Sequence, residues 1–283
     1  MTVVKQWLQK SYSEALLQTR IINYLYPVNR ILVQQVLQLL SMPFTFSHPA
    51  IVLPLYGLVR RWVSLTGLVV GSIVPDFEYF IRMKTPSIYS HTMLGLLTFN
   101  LPVGLLLCFL FHNVVRNSLF SHLPYVLNCR LSNFKRFNWN KYFRKNWHII
   151  IISILIGAFS HLFWDKFVHE NGYVPKLFNF FGKYADMYDI EMTEYKTLHV
   201  LSSVFGGIIV LFAIFQLPVS DRIRRPLYFK YWVYIAVIMA AVMALRFNTG
   251  LRLVDYREVL INAISSLLIG LLLTSLFLRR DYY

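Results

Sequence analysis

Charge is scarce in this chain, and acid is scarcer still. Only 14% of its 283 residues are charged, with 13 Asp and Glu against 28 Lys and Arg, while 57% are hydrophobic and mean hydropathy is +0.51. A soluble domain carries roughly 25% charged residues. The composition therefore sets aside the disordered class and points to a membrane protein. Cysteine is limited to Cys108, in an apolar run, and Cys129, in a basic stretch. Neither has disulfide or metal-ligand spacing, so the redox compartment is not readable from them. The sequence has no Gly-rich phosphate loop and no Gly-x-Ser-x-Gly elbow, which withdraws support from nucleotide-driven work and serine hydrolysis. No secretory signal with a small-residue cleavage site opens the chain.

The net charge of +15 would ordinarily suggest nucleic acid as a partner. In a chain this apolar, Lys and Arg gather in cytoplasmic loops whatever the protein binds. The expected partner is the lipid bilayer, and no nucleic acid is expected.

What the chain does have is long apolar runs. Five stretches, about 92–112, 148–168, 198–218, 231–246 and 259–278, are long enough or nearly so to cross about 30 Å of hydrocarbon as helices. Two shorter pieces, 49–59 and 63–75, are separated by Arg60 and Arg61 and read as a short apolar helical hairpin packed in the bundle. The expected fold is all-α: a polytopic membrane helical bundle of about five long transmembrane helices plus that hairpin. Residues 1–41 scatter Trp7, Leu8, Leu16, Leu17, Ile21, Leu25 and Tyr26 among basic residues. They read as an amphipathic surface extension, or as sequence upstream of the native start. A metal-site membrane domain is expected over 42–218 and a C-terminal pair of transmembrane helices over 219–283.

Charge then orients the spans. The stretch 113–147 carries Arg116, Arg130, Lys135, Arg136, Lys141, Arg144 and Lys145 and no acid; 219–230 carries Arg222, Arg224, Arg225 and Lys230 against Asp221 alone. The positive-inside tendency puts both loops in the cytoplasm. Stretch 169–197, with Glu170, Asp186, Asp189, Glu191 and Glu194, falls on the far side. This orientation gathers His48, Asp76, His91, His161, Asp165, His169 and His199 at the outer face, although charge counting ignores histidine. His112, His122 and His148 lie on the basic side and read as solvated or interfacial.

A helix turns about 100° per residue, so His161 and Asp165 share a face and His169 lies within about 80° of it. An ionised Asp at membrane depth costs about 2.5–3.5 kcal/mol on insertion scales, and marks function by default. The bland alternatives are a buried salt bridge for Asp165, a solvated turn for Asp76, and helix-start capping for His48 and His91. Imidazole and carboxylate together suit a divalent metal, with zinc ahead of manganese or iron, and not calcium. One or two ions would fit.

Five segments carry a resemblance: Met42 to Ala50 (MPFTFSHPA), Gly71 to Tyr79 (GSIVPDFEY), Tyr89 to Thr92 (YSHT), Asn100 to Gly104 (NLPVG) and Gly157 to Asp165 (GAFSHLFWD). Over about Met42 to Ser203 the chain resembles the bacterial domain-of-unknown-function family 4184. It also looks like the wider group of predicted membrane-bound metal-dependent hydrolases. The resemblance implies His48, Asp76, His91, His161 and Asp165 as metal ligands, with His169 and His199 matching less closely. His91 precedes Thr92 here, where the wider group often has Thr before His.

The functional expectation is a metal-dependent hydrolase, phosphoesterase-like, in a bacterial inner membrane. Its site would face the periplasmic or extracellular side and act on an ester or phosphoester of a lipid or lipid-linked substrate. Glu78 or His169 is expected as general base. The alternatives are a non-catalytic scaffold around a structural metal, and a metal or ion transporter. The nearly pure apolarity of 204–215 and 231–245 counts against transport.

Overall fold

The computed structural model describes residues 45–168, 194–220 and 228–278, and all of its regular elements there are helical. A single turn, Thr45–Ser47, leads into α1 (Pro49–Val59), which Pro49 starts at a position needing no N–H donor. Helix α2 (Leu65–Ile73) is capped by Ser64, whose hydroxyl accepts from the Gly67 amide. A 3₁₀ turn at Val74–Asp76 passes into the short α3 (Phe77–Arg82), which ends on Met83 in the left-handed conformation (φ 52°).

The first long helix, α4 (Met93–His122), begins at Thr92, whose side chain accepts from the Gly95 amide. Two of its turns, Leu96–Asn100 and Phe111–Val115, are π-helical. Pro102 has no N–H and would crowd the carbonyl four residues earlier; the wide turn just before it absorbs that defect. Pro124 ends the helix by holding Leu123 extended. After α5 (Tyr125–Leu131), helix α6 (Trp139–Val168) runs back, kinked at Asn146. Helices α7 (Glu194–Phe215), α8 (Tyr228–Asn248) and α9 (Tyr256–Phe277) complete the order.

Among the described residues four helices are long and apolar enough to cross a membrane: Met93–His122, Trp139–Phe167, Phe229–Asn248 and Tyr256–Phe277. The chain is thus read as a multi-pass membrane protein. The span expected at 198–218 is present as α7, but its described apolar part, Val200–Phe215, is shorter. The basic stretch 113–147 is not a plain loop, because α4 continues to His122 and α5 follows. Residues 1–44 lie outside the described residues, and so does the N-terminal extension.

The spine of the bundle is the crossing of α2 on α6. Lipid offers no hydrophobic drive between helices, so association depends on close backbone approach through small residues. Gly67 and Gly71 form such a small-xxx-small pair against Ser153, Ile154 and Gly157. A Cβ on Gly71 would collide with the Ile154 carbonyl, and one on Gly157 with the Leu68 carbonyl. Above this crossing Val74, Phe77, Phe80 and Ala158 pack with Ile261 of α9, so the C-terminal pair shares a core with the first helices. Arg246 donates to Asn262 (2.7 Å), and Asn262 donates to the Met83 carbonyl (3.1 Å), fastening α8 and α9 to the turn after α3.

The polar side chains sort to two ends. On the basic side His122 is buried, donates from Nδ1 to the Ser118 carbonyl and stacks on Tyr231 (4.3 Å). His112 stacks on Trp139 (4.5 Å) and contacts Thr66 and Arg116. The expectation of solvated or interfacial rings is therefore corrected for the buried His122, while His112 is half-buried. Aromatic stacking and hydrogen bonds satisfy them inside the bundle, and only His148 is exposed. The opposite end holds the remaining described histidines whose side chains are placed.

Candidate metal centre

Each contributing element delivers its side chain from a helix end. His48 precedes α1, Asp76 closes the 3₁₀ turn after α2, His91 lies one residue before the cap of α4, and His161 and Asp165 occupy the last turns of α6. Antiparallel packing brings these ends together. His48 Nε2 lies 3.3 Å from Asp165 Oδ1, and His161 Nε2 lies 3.2 Å from Asp165 Oδ2 and 3.4 Å from Asp76 Oδ1. His91 Nε2 faces the same two oxygens, at 3.5 Å from Asp76 Oδ1 and 3.7 Å from Asp165 Oδ2. The rings of His48 and His161 are stacked at 3.9 Å.

The other ring nitrogens explain why Nε2 points inward. His161 Nδ1 lies 2.8 Å from the Ser72 carbonyl, and His48 Nδ1 lies 3.3 Å from the Thr45 carbonyl. A carbonyl only accepts, so both Nδ1 atoms carry a proton, and whenever the ring is neutral Nε2 keeps its lone pair facing the carboxylates. His91 Nδ1 is 2.9 Å from Ser90 Oγ. Metal-bound histidines show this same outer bond to a backbone or side-chain partner, which fixes the tautomer.

The convergence leaves acceptors facing acceptors. Asp76 Oδ1 and Oδ2 and His161 Nε2 are buried and make no hydrogen bond within the described residues. Burial alone would push the Asp76 carboxyl up; positive charge on the His161, His91 and His48 side of it holds it well below the usual carboxylate range. Separations of 3.2–3.7 Å are long for a charge-assisted hydrogen bond, about 2.7–2.9 Å. Ligands about 2.0–2.2 Å from a tetrahedral ion lie about 3.3–3.6 Å from one another. His48, Asp76 and His161 form one group with ligand atoms within 4.8 Å of each other, and His91, His161 and Asp165 form a second. Both groups use His161, which joins them into a single cluster able to hold a divalent cation.

Access is one-sided. The side chains of His161, His48 and Asp76 are 0%, 3% and 3% exposed, whereas His91 is 22% exposed. Ser90, although beside His91, is fully buried and shut off from any substrate, so the Ser90–His91 contact is not a nucleophile pair.

Glu78, expected as a general base, is engaged elsewhere. Its Oε1 accepts from the Ile88 amide (2.7 Å) and Arg82 (3.1 Å), and its Oε2 accepts from the Tyr89 (2.9 Å) and Ser90 (2.7 Å) amides. Burial pushes its carboxyl up, but the Ser90, Ile88 and Tyr89 amides outweigh it and bring it down to about 2. A carboxylate so weakly basic and fully engaged is an anchor, not a proton acceptor. His169 lies outside the described residues; His199 belongs to α7, but its side chain is not among those described. The outer partners Ser72 and Thr45 had no signal in the sequence, because a backbone carbonyl is identical at every position.

No curated protein and no solved structure matches the chain. The family model described as Domain of unknown function (DUF4184) matches residues 42–276, and the chain belongs to that family.

Proposed function

We propose that this protein is a membrane-bound metal-dependent hydrolase of the phosphoesterase-like kind, cleaving an ester or phosphoester in a lipid or lipid-linked substrate. The observation that carries the reading is the buried cluster of His48, Asp76, His91, His161 and Asp165, in which both Asp76 oxygens and His161 Nε2 have no hydrogen-bond partner among the described residues. Two carboxylates and three neutral imidazoles suit zinc first, then manganese or iron. A divalent ion there would polarise the scissile ester and supply an activated water.

The chain's own residues do the rest. The Ser72 and Thr45 carbonyls hold the His161 and His48 rings with Nε2 inward. Asp76 and Asp165 balance the charge of the cation. The partly exposed His91 edge is the side from which a substrate can approach, and this favours a catalytic site over a closed structural one. The motif resemblance to predicted membrane-bound metal-dependent hydrolases, read from the sequence alone, supports the same chemistry. The alternation of basic segments supports a site on the outer face of a bacterial inner membrane, level with lipid headgroups.

The test is hydrolysis of ester and phosphoester lipids by purified protein in lipid nanodiscs, with and without a chelator. Activity that the chelator removes, zinc or manganese restores, and His161→Ala with Asp165→Ala abolishes, is the expected result. Activity indifferent to the chelator would reject the reading.

A further inference from the structure

His91 is the ligand candidate with most exposure, and like His48 it lies outside any regular element. The segment that carries it is tethered at almost every residue. Three consecutive backbone amides, Ile88, Tyr89 and Ser90, converge on the Glu78 carboxylate at 2.7, 2.9 and 2.7 Å. The Ser90 carbonyl accepts from Asn100 Nδ2 (2.8 Å), and Ser87 Oγ accepts from the Tyr79 hydroxyl (3.3 Å). Thr92 Oγ1 donates to the Tyr89 carbonyl (2.9 Å) and accepts from the Gly95 amide (2.9 Å). A Cβ on Gly95 would collide with that same Tyr89 carbonyl.

We infer that Glu78 is a positioning residue: its buried carboxylate gathers the 88–90 amides and thereby sets His91 Nε2 against Asp76 and Asp165. The inference rests on the metal-centre reading above and assigns Glu78 a role other than proton transfer. Hydrogen bonds to a charged acceptor are roughly twice as strong as neutral ones, and an unsatisfied buried donor is costly. Replacing the carboxylate with an amide keeps the shape but removes the charge and turns one acceptor into a donor facing N–H groups. The segment must then shift, and His91, one residue beyond Ser90, shifts with it. The rings of His48 and His161 hang on the Thr45 and Ser72 carbonyls, outside the 88–90 segment, and keep their orientation.

A double-mutant cycle separates this from general destabilisation. Cobalt(II) affinity is measured by chelator competition on the full chain in nanodiscs, for wild type, Glu78→Gln, His91→Ala and the double variant, with the cobalt visible spectrum recorded for each. The expected result is a loss of about 10–100-fold in affinity for Glu78→Gln, the range seen when an outer partner of a ligand is lost. In the His91→Ala background the same substitution should change affinity by less than about 2-fold, with the spectra of His91→Ala and the double variant superimposable. Asn100→Ala, which cuts the second tether of Ser90, should behave in the same way and serves if Glu78→Gln does not fold. Equal losses in both backgrounds, or no loss in either, would overturn the inference while leaving the metal reading intact. Wild-type protein that binds no cobalt would overturn both.

Discussion

His161 Nδ1 sits 2.8 Å from the backbone carbonyl of Ser72, across the crossing of α2 and α6. That bond decides the chemistry of the cluster. The proton resides on Nδ1, and the Nε2 lone pair is aimed at Asp76 and Asp165. With the ring neutral, a fully buried imidazole acceptor pointed at two carboxylates is unfavourable unless a cation lies among them. The small residues at the helix crossing and the ligand set are thus one arrangement, because the first fixes where the Ser72 carbonyl lies.

Substituting Gly71 tests that link. Gly71→Ala places a methyl against the Ile154 carbonyl, a backbone atom that can give way only by moving a helix. The expected cost is about 1–3 kcal/mol of stability, with weakened metal binding as the Ser72–His161 bond lengthens. Thermal melts and metal titration measure the two effects. Gly57→Ala and Gly207→Ala, where an added Cβ meets nothing within 4 Å, should leave both unchanged.

Metal removal should act on stability as well as on activity. A ligand present at 100 times its dissociation constant stabilises the folded state by about 2.7 kcal/mol. Adding a chelator to wild-type protein should therefore lower its melting temperature. The same treatment of the His161→Ala, Asp165→Ala variant should do nothing. A chelator effect of equal size in both proteins would place the ion elsewhere.

The basic-end histidines provide the opposite control. His112→Ala removes a ring stacked on Trp139 and bonded to Thr66, and should destabilise the fold. Metal content per folded chain should be unchanged, as measured by elemental analysis of purified protein. A fall in metal content would mean that the two ends are not independent.

The anchor between the C-terminal pair and the site end makes a further prediction. Asn262→Ala removes the partner of Arg246 Nε and leaves the Met83 carbonyl with Arg246 Nη2 alone, at 3.5 Å. The expected loss is about 1–3 kcal/mol of stability at unchanged metal stoichiometry. A two-temperature melt, with the C-terminal pair separating first, would show that α8 and α9 do not share the core of the first helices.

How much of this was readable in the sequence differs from residue to residue. The apolar runs and the charge alternation announced a helical bundle with His48, Asp76, His91, His161 and Asp165 at one end, because burial and charge cost leave a mark in composition. The four-residue spacing of His161 and Asp165 put them on one helix face. What composition cannot carry is the direction of a backbone group. The Ser72 carbonyl and the 88–90 segment lie where packing at Gly71 and Gly95 puts them, and so the sequence offers Glu78 as a general base without showing the three amides its carboxylate accepts from. The basic stretch misled for a related reason. Lys and Arg marked it as a loop, yet α4 runs on through it to His122 with Arg116 buried and bonded to the Phe137 carbonyl. His169 and His199 stay sequence expectations, since their side chains fall outside the described residues.

X-ray absorption at the metal edge, on protein purified with its native ion, examines the shared cation most directly. The account predicts a bound divalent metal with a mixed nitrogen and oxygen shell at about 2.0–2.2 Å, including imidazole outer-shell scattering that diminishes in His161→Ala. Protein that carries no metal, or a shell that lacks imidazole, would contradict it.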